Sequence, residues 1–149
     1  MKTNKENFKL KVNVKMQLFD SKGNLKTTRR LHNAKTNNAV YGLLDQLLDT
    51  PTLAKVGYME LGAGTPTSTL LGAYIAGSRT AIIKTRTLNV VTITGIFPAG
   101  VGTGNITEAA LFDVATENTI NMWCSATDFT MIPKNIGDIL EITWILTLN

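Results

Sequence analysis

Two segments near the ends of the chain alternate apolar and polar residues, and this alternation constrains the fold more than any other feature. The first is "FKLKVNVKMQLF" at residues 8–19, and the second is "ILEITWILTL" at residues 139–148. A period of two places every second side chain on the same face of a β-strand. Both segments therefore predict long strands with one buried face.

The segments between these two strands also favour β-structure. Strand-forming runs occur in "VGYMEL", "TAIIKTRTLNVVTITGIF", "NITEAALFD" and "TINMWCSATDF", and stretches rich in Gly, Pro, Thr and Asn separate them. One stretch, residues 37–49, has the apolar stripe of a helix, with Thr36 or Asn37 as its cap and Pro51 beyond its end. We therefore predict an all-β protein, an antiparallel β-sandwich of jelly-roll-like form with one inserted α-helix near residues 37–49.

The length and composition fit a single domain over residues 1–149. A chain of this length can bury enough surface to fold without a disulfide or a metal ion. No apolar run reaches the roughly 18 residues of a membrane helix, and the N-terminus lacks the apolar core of a signal peptide. We expect no membrane partner.

Positive charge is concentrated in the N-terminal part of the chain. Residues 1–35 contain ten Lys and Arg against two acidic residues, a balance of +8, whereas the whole chain has a net charge of +4. Most of this charge lies on a predicted strand and hairpin over residues 8–31. The candidate partner-binding residues are Lys9, Lys11, Lys15, Arg29 and Arg30. They either form the solvated face of an edge strand, which discourages unwanted pairing, or they contact an acidic surface.

The stretch "YMELGAGTPTS" at residues 58–68 resembles the approach to a phosphate-binding loop, but it lacks the pattern that such a loop needs. Thr67 occupies the position of the third glycine in G-x-G-x-x-G, and no Gly-Lys-Ser/Thr occurs in the chain. We interpret the stretch as a strand that enters an exposed turn, with Gly62 and Gly64 supplying the backbone angles of that turn.

No other residue pattern indicates catalysis, a cofactor or a metal. His32 is the single histidine and lies among basic residues, and Cys124 lies in a strand pattern typical of a buried, unreactive thiol. Trp123 and Trp144 are predicted to be core residues. The scattered acids are interpreted as solvated or turn-capping residues: Glu108, Asp113, Glu117 and Asp128. We expect no enzyme activity, no cofactor and no metal site.

Nucleic acid is disfavoured as a partner. The basic hairpin supplies positive charge, but between Lys9 and Lys35 only Phe19 is aromatic, so side chains on which bases could stack are nearly absent.

The order of motifs resembles a group of small virion proteins of tailed bacteriophages. In that group a "D-x-x-G-N-L … H-N" opening precedes a helix, and glycine- and threonine-rich loops follow. The most specific matching pieces are "GNITEAALFD" and "GDILEITWILTL", and the resemblance extends from about Gln17 to Leu148. Ala110 departs from it, because the family often has glycine there.

The resemblance implies a β-sandwich building block of a virus particle. We expect a non-enzymatic auxiliary protein, a decoration or cement protein bound to a bacteriophage capsid, made in the host cytoplasm and located on the virion. The expected partners are the major capsid protein or other virion proteins. A homo-oligomer of this chain is a further alternative. The alternative is a tail or fibre-base component, or a receptor- or glycan-binding module.

Overall fold

The structure is a computed structural model that describes residues 9–32, 43–44, 46 and 53–149. Within these residues, eleven strands form three antiparallel sheets. The strands are β1 (Leu10–Phe19), β2 (Leu25–His32), β3 (Tyr58–Gly62), β4 (Thr80–Ala81), β5 (Ile83–Thr87), β6 (Val90–Phe97), β7 (Gly104–Ile106), β8 (Glu108–Phe112), β9 (Met122–Ala126), β10 (Ile132–Lys134) and β11 (Ile139–Leu148).

The two alternating segments form the central strands of the larger sheet, which we name sheet A. Its strand order is β2-β1-β11-β6-β5. Strands β1 and β11 pair over their full lengths, from Leu10 opposite Leu148 to Phe19 opposite Ile139. The alternation has the predicted effect, because every second side chain points into the core. These buried residues are Val12, Val14, Met16, Leu18, Leu140, Ile142 and Trp144.

The second sheet, sheet B, has the order β4-β3-β8-β9 and packs against the inner face of sheet A. Met59 and Leu61 of β3 and Leu111 of β8 belong to the same apolar cluster as the inward side chains of sheet A. A short ribbon of β7 and β10 adds Ile106 and Ile132 to that cluster. The prediction of an all-β antiparallel sandwich is therefore confirmed.

Strands β1 and β2 form a hairpin around a turn at residues 20–24. The carboxylate of Asp20 accepts hydrogen bonds from the backbone N–H groups of Lys22 (2.8 Å) and Asn24 (2.9 Å), and Gly23 adopts a φ of 84°. Acidic and glycine residues at these positions favour such turns. Strand β2 is the edge of sheet A, whereas β1 is paired on both sides. The edge-strand interpretation is therefore wrong for the lysines of β1, whereas Arg29 and Arg30 do lie on the edge strand β2.

The segment "TAIIKTRTLNVVTITGIF" is divided into three strands. Strand β4 pairs with β3 in sheet B, and β5 pairs with β6 in sheet A, so the chain passes from one sheet to the other near Ile82. Strands β5 and β6 are joined by a tight turn in which Leu88 has a φ of 53° and is 81% exposed. Positive φ is uncommon for a residue other than glycine, which explains why the sequence did not reveal this turn.

The predicted helix near residues 37–49 lies almost entirely outside the described residues, which include only 43, 44 and 46 of that range. No helix long and apolar enough to cross a membrane occurs in the part of the chain that the structure describes.

Candidate partner-binding surface

The five basic residues predicted to bind a partner divide into two groups. Lys11 and Lys15 alternate with the buried residues of β1, so they lie on the face of sheet A that points away from sheet B. Arg30 of β2 is directly opposite Lys15 and shares that face. Lys9 precedes β1, pairs with Asn149 through both backbone hydrogen bonds and continues the same alternation. Four of the five candidate residues therefore lie together.

Arg29 is the exception, because it follows the opposite alternation. It is opposite Met16, whose side chain is fully buried. Its guanidinium donates hydrogen bonds to the carbonyl oxygen of Thr130 at 3.3 Å and to the hydroxyl of Thr27 at 2.7 Å. The guanidinium thus links β2 to the segment between β9 and β10, and Arg29 has a structural role at this edge of the sandwich.

The basic residues of this face repel one another. Cross-strand neighbours with like charge are destabilising, and Lys15 and Arg30 are such neighbours. The nearest acid along β11 is Glu141, which is opposite Gln17 and Ile96 rather than a cation. In the described part of the chain, the salt bridges join other residues, Lys26 to Asp138 and Arg79 to Glu60. We refer to Lys9, Lys11, Lys15 and Arg30 as the basic corner of this face. No salt bridge within the described chain neutralises the positive charge of the basic corner.

The remainder of this face is rich in threonine and isoleucine, and we refer to the whole as the outer face of sheet A. Ile83 is 61% exposed and Ile96 is 42% exposed, both on the side away from the basic corner. Among the described residues, no second layer covers the face. Besides Lys9, the face consists of Lys11, Asn13, Lys15, Gln17, Thr28, Arg30, Ile83, Thr85, Thr87, Val90, Thr92, Thr94, Ile96, Glu141, Thr143, Ile145 and Thr147.

The corresponding face of sheet B is covered by the chain between β3 and β4. Leu71 from this segment packs with Ala110, Phe112 and Met122 in a second apolar cluster. The covering segment also carries Arg79 onto the sheet. This sheet therefore has apolar residues buried on both of its faces.

Arg79 forms a buried ion pair on sheet B. Its guanidinium donates a hydrogen bond to Glu60 Oε2 at 3.0 Å and another to the carbonyl oxygen of Val114 at 2.8 Å, and it stacks 3.6 Å from the centre of the Phe112 ring. The two charged side chains are 2% and 1% exposed. Burial raises the pKa of Glu60 above its usual value, although the neighbouring guanidinium opposes this effect. The pair fixes the covering segment to the sheet.

Glu108 holds the same segment at its other end. Oε1 accepts hydrogen bonds from the backbone N–H groups of Gly64 (3.0 Å) and Ala73 (2.9 Å), and Oε2 accepts one from Gly72 (3.0 Å). The residue is fully buried. Glu108 is therefore not a solvated acid, and its carboxylate instead caps backbone N–H groups of the covering segment from inside the fold. The glycine-rich segment surrounds an anion, as a phosphate-binding loop does, but the anion is a carboxylate of the same chain.

This contact also corrects the explanation of the two glycines in "LGAG". Gly62 and Gly64 do not have positive φ angles. Instead, a Cβ atom at Gly62 would lie 2.3 Å from Glu108 Oε1, and one at Gly64 would lie 2.7 Å from the backbone nitrogen of Ala73. Glycine is needed at these positions because the backbone approaches its neighbours closely.

A third group of charges lies at one end of sheet A and is also structural. The ammonium of Lys134 is buried and donates hydrogen bonds to the carbonyl oxygens of Pro98 (3.0 Å) and Asp138 (2.7 Å). Asp138 Oδ2 accepts from Lys26 at 2.7 Å and from the N–H of Asn135 at 2.9 Å. Desolvation lowers the pKa of Lys134, and the hydrogen bond from Lys26 lowers the pKa of Asp138.

The other acids with predicted roles contact the backbone or lie on the surface. Asp113 accepts a hydrogen bond from the N–H of Ala54, and Glu117 accepts one from the N–H of Arg79. Asp128 is exposed and contacts only the adjacent Thr127 hydroxyl among the described hydrogen bonds. These contacts agree with turn-capping and solvated roles.

The predicted core residues are buried. Cys124 is buried, as predicted, and this burial raises the pKa of its thiol to about 12. Trp144 and Trp123 are both buried, as predicted. The side chain of His32 lies outside the described residues. No cluster of potential metal ligands occurs in the described ranges.

Comparison of the chain with protein-family models, with curated proteins and with solved structures finds no match.

The sequence did not indicate the Glu60–Arg79 pair, the contacts of Glu108, or the buried Lys134. It also did not indicate that Ile83 and Ile96 are exposed on the outer face of sheet A, although Ile145 interrupts the polar positions of β11 on that face. No local sequence pattern indicated the ion pair between Glu60 of β3 and Arg79 of the covering segment.

Proposed function

We propose that the chain is a non-enzymatic virion structural protein, an auxiliary or decoration protein bound to the surface of a bacteriophage capsid. The observation that carries the proposal is the contrast between its charged groups. The buried acids and the buried lysine are engaged in structural hydrogen bonds, whereas the basic corner of the outer face of sheet A has no salt bridge within the described chain. Exposed charged groups without a salt bridge, such as those of the basic corner, are suited to contact a partner.

The resemblance to phage virion proteins supports the same class of function. Its most specific segments, "GNITEAALFD" and "GDILEITWILTL", contribute Glu108 and β11, which have structural roles in the sandwich. The alternative of a glycan-binding module predicts exposed aromatic rings. Both tryptophans are buried, and among the described residues Tyr74, at 38%, is the single exposed aromatic side chain, so this alternative is less well supported.

Binding by this corner alone would be weak. An exposed ion pair contributes about 0–1 kcal/mol, so stable attachment needs many copies on one particle or additional apolar burial. The expected partner is the major capsid protein or another virion protein with an acidic surface.

Mass spectrometry of purified particles tests the proposal. We expect this chain in mature particles of the phage that encodes it, and its absence from them would reject the proposal. A variant with Lys9, Lys11 and Lys15 changed to glutamate should attach less than the wild type at low salt. Unchanged attachment would show that these lysines are not the contact.

A further inference from the structure

We propose that the partner docks face-on over the whole outer face of sheet A, with carboxylates opposite the basic corner and apolar groups opposite Ile83 and Ile96. This inference rests on the proposed function, since it specifies the contact that attaches the chain to the particle. The partner is a protein surface, and its chemistry follows from three features of the face.

The first feature is the charge of the corner. Lys15 and Arg30 are directly opposed on neighbouring strands, and Lys11 lies on the same face. This arrangement reduces the stability of the free chain, and no salt bridge of the described chain compensates for it. A partner that presents carboxylates here would remove the repulsion. Charge complementarity therefore favours an acidic partner over a second copy of this chain, which would bring the same cations.

The second feature is the size of the surface. Five strands spaced about 4.8 Å apart, with about eight residues each and about 3.3 Å per residue, give a face of roughly 600 Å². Each partner in a standard interface contributes about 800 Å². Strands β1 and β2 alone would supply roughly two-fifths of the face, which is too little for stable binding. The basic hairpin cannot be the whole contact, whereas the full face approaches the required area.

The third feature is the apolar side of the face. Ile83 and Ile96 are well exposed on β5 and β6, and Ile145 lies between them and the basic corner on β11. Strands β1, β11 and β6 are paired on both sides, so a partner can reach them only from the face and not by adding a strand. Threonines fill the intervening positions with short side chains, which leave a surface suited to close approach. Burial of the isoleucines would supply the affinity that exposed ion pairs do not.

Lysine acetylation of intact particles tests the footprint without any variant. The readout is the fraction of each lysine modified, measured by mass spectrometry on intact particles and on the purified free chain. We expect Lys11 and Lys15 to be modified about tenfold less on particles, and Lys55, an exposed lysine beside sheet B, to be modified equally in both. Equal modification of Lys11 and Lys15 in the two samples would overturn the inference.

Matched substitutions test the apolar side. Ile83→Thr with Ile96→Thr keeps β-branched residues in the strands, and Ile120→Thr changes an isoleucine that is 68% exposed in the segment between β8 and β9. In competition with wild-type chain for particles, the double variant should have at least about tenfold lower occupancy, the ratio that corresponds to about 1.4 kcal/mol. Ile120→Thr should compete as well as the wild type. Equal occupancy of the double variant would overturn the inference.

A nucleic-acid partner is the remaining outcome. The test is whether a double-stranded DNA fragment retains the wild-type chain at about 0.15 M salt. If it does, and if retention is lost when Lys11 and Lys15 are changed to glutamate, the basic corner binds nucleic acid and the inference is overturned. We expect no retention. If the chain is absent from particles, the proposed function fails and the inference fails with it. If the chain is present on particles but Lys11 and Lys15 are acetylated there as fully as in the free chain, the inference alone fails.

Discussion

The outer faces of the two sheets use charge in opposite ways. On sheet B, Glu60 and Glu108 are buried beneath the segment between β3 and β4, and each carboxylate accepts hydrogen bonds from that segment. On sheet A, Lys11, Lys15 and Arg30 lie on a face that no second layer covers among the described residues, and no salt bridge of those residues includes them. Both faces carry charged residues, so the number of charged residues on a face does not by itself identify a surface that binds a partner. What distinguishes the two faces is whether each charge already has a partner.

Removal of Glu108 should have the largest effect on stability. Glu108→Ala would leave the N–H groups of Gly64, Gly72 and Ala73 without their acceptor, and hydrogen bonds to a charged group contribute about 1.5–3 kcal/mol each. We expect a loss of about 4–5 kcal/mol in the free energy of unfolding, measured by urea denaturation. Faster hydrogen exchange at these three amides should accompany the loss.

Glu141→Ala is the matched control, since it removes an acid from the outer face of sheet A. It should change the free energy of unfolding by no more than about 0.5 kcal/mol. Equal losses for the two variants would contradict the contrast between the sheets.

The next largest effect should come from the buried ion pair on sheet B. Arg79→Met keeps much of the side-chain volume but leaves the carboxylate of Glu60 buried without its partner, and breaking such a pair typically costs about 3–5 kcal/mol. We expect a loss of about 3 kcal/mol at pH 8. The double variant Glu60→Gln/Arg79→Met should recover part of it, because it removes the unpaired charge.

The loss in Arg79→Met should also depend on pH. The pKa of Glu60 is already raised by burial, and it will rise further without the guanidinium. A carboxyl group with a raised pKa in the folded state binds its proton more tightly there than in the unfolded chain, so stability falls as the pH rises from about 4.5 through the raised pKa. The difference from wild type should therefore be smaller at pH 5 than at pH 8. A constant difference would show that Glu60 does not titrate in this way.

Asp138 should show the opposite dependence on pH. Its pKa is lowered, chiefly by the hydrogen bond from Lys26, so its ionised form stabilises the folded chain above the usual pKa of 3.8. This contribution is lost as the pH falls through the lowered pKa. Asp138→Asn should be less stable than wild type at pH 6, and the difference in urea midpoint should narrow at pH 3. Asp128→Asn, which changes an exposed acid, is the control and should change the free energy of unfolding at pH 6 by no more than about 0.5 kcal/mol.

The sequence predicted those parts of the molecule that depend on local pattern. The alternation in β1 and β11 identified the two central strands and their buried faces, and turn-forming residues identified the loops. These features together were enough to predict a sandwich. Leu88 shows the limit of this reasoning, because a leucine with positive φ divides β5 from β6 without a glycine or asparagine at that position.

The parts that the sequence did not predict depend on contacts between distant residues. Glu108 meets Gly64, Gly72 and Ala73 across 35 to 44 positions. No periodicity or motif contains that information. For the same reason, the basic residues could be identified from the sequence, but the opposite alternation of Arg29 and Arg30 became informative only when the pairing of β2 with β1 was known.

The smallest expected effect is a gain in stability on sheet A, and its sign is informative. Arg30→Glu replaces the repulsion between Arg30 and Lys15 with attraction, and cross-strand charge pairs contribute about 0.2–1 kcal/mol. We expect the free energy of unfolding to rise by about 0.5 kcal/mol at low salt, and the gain should shrink in 1 M salt as the charges are screened. Arg29→Glu is the matched change one residue away, and it should instead reduce stability because it removes hydrogen bonds to Thr27 and Thr130. A loss of stability in Arg30→Glu would mean that Arg30, like Arg29, serves the fold. A gain would mean that the free chain keeps Arg30 at the expense of its own stability, as expected of a residue whose partner lies outside the chain.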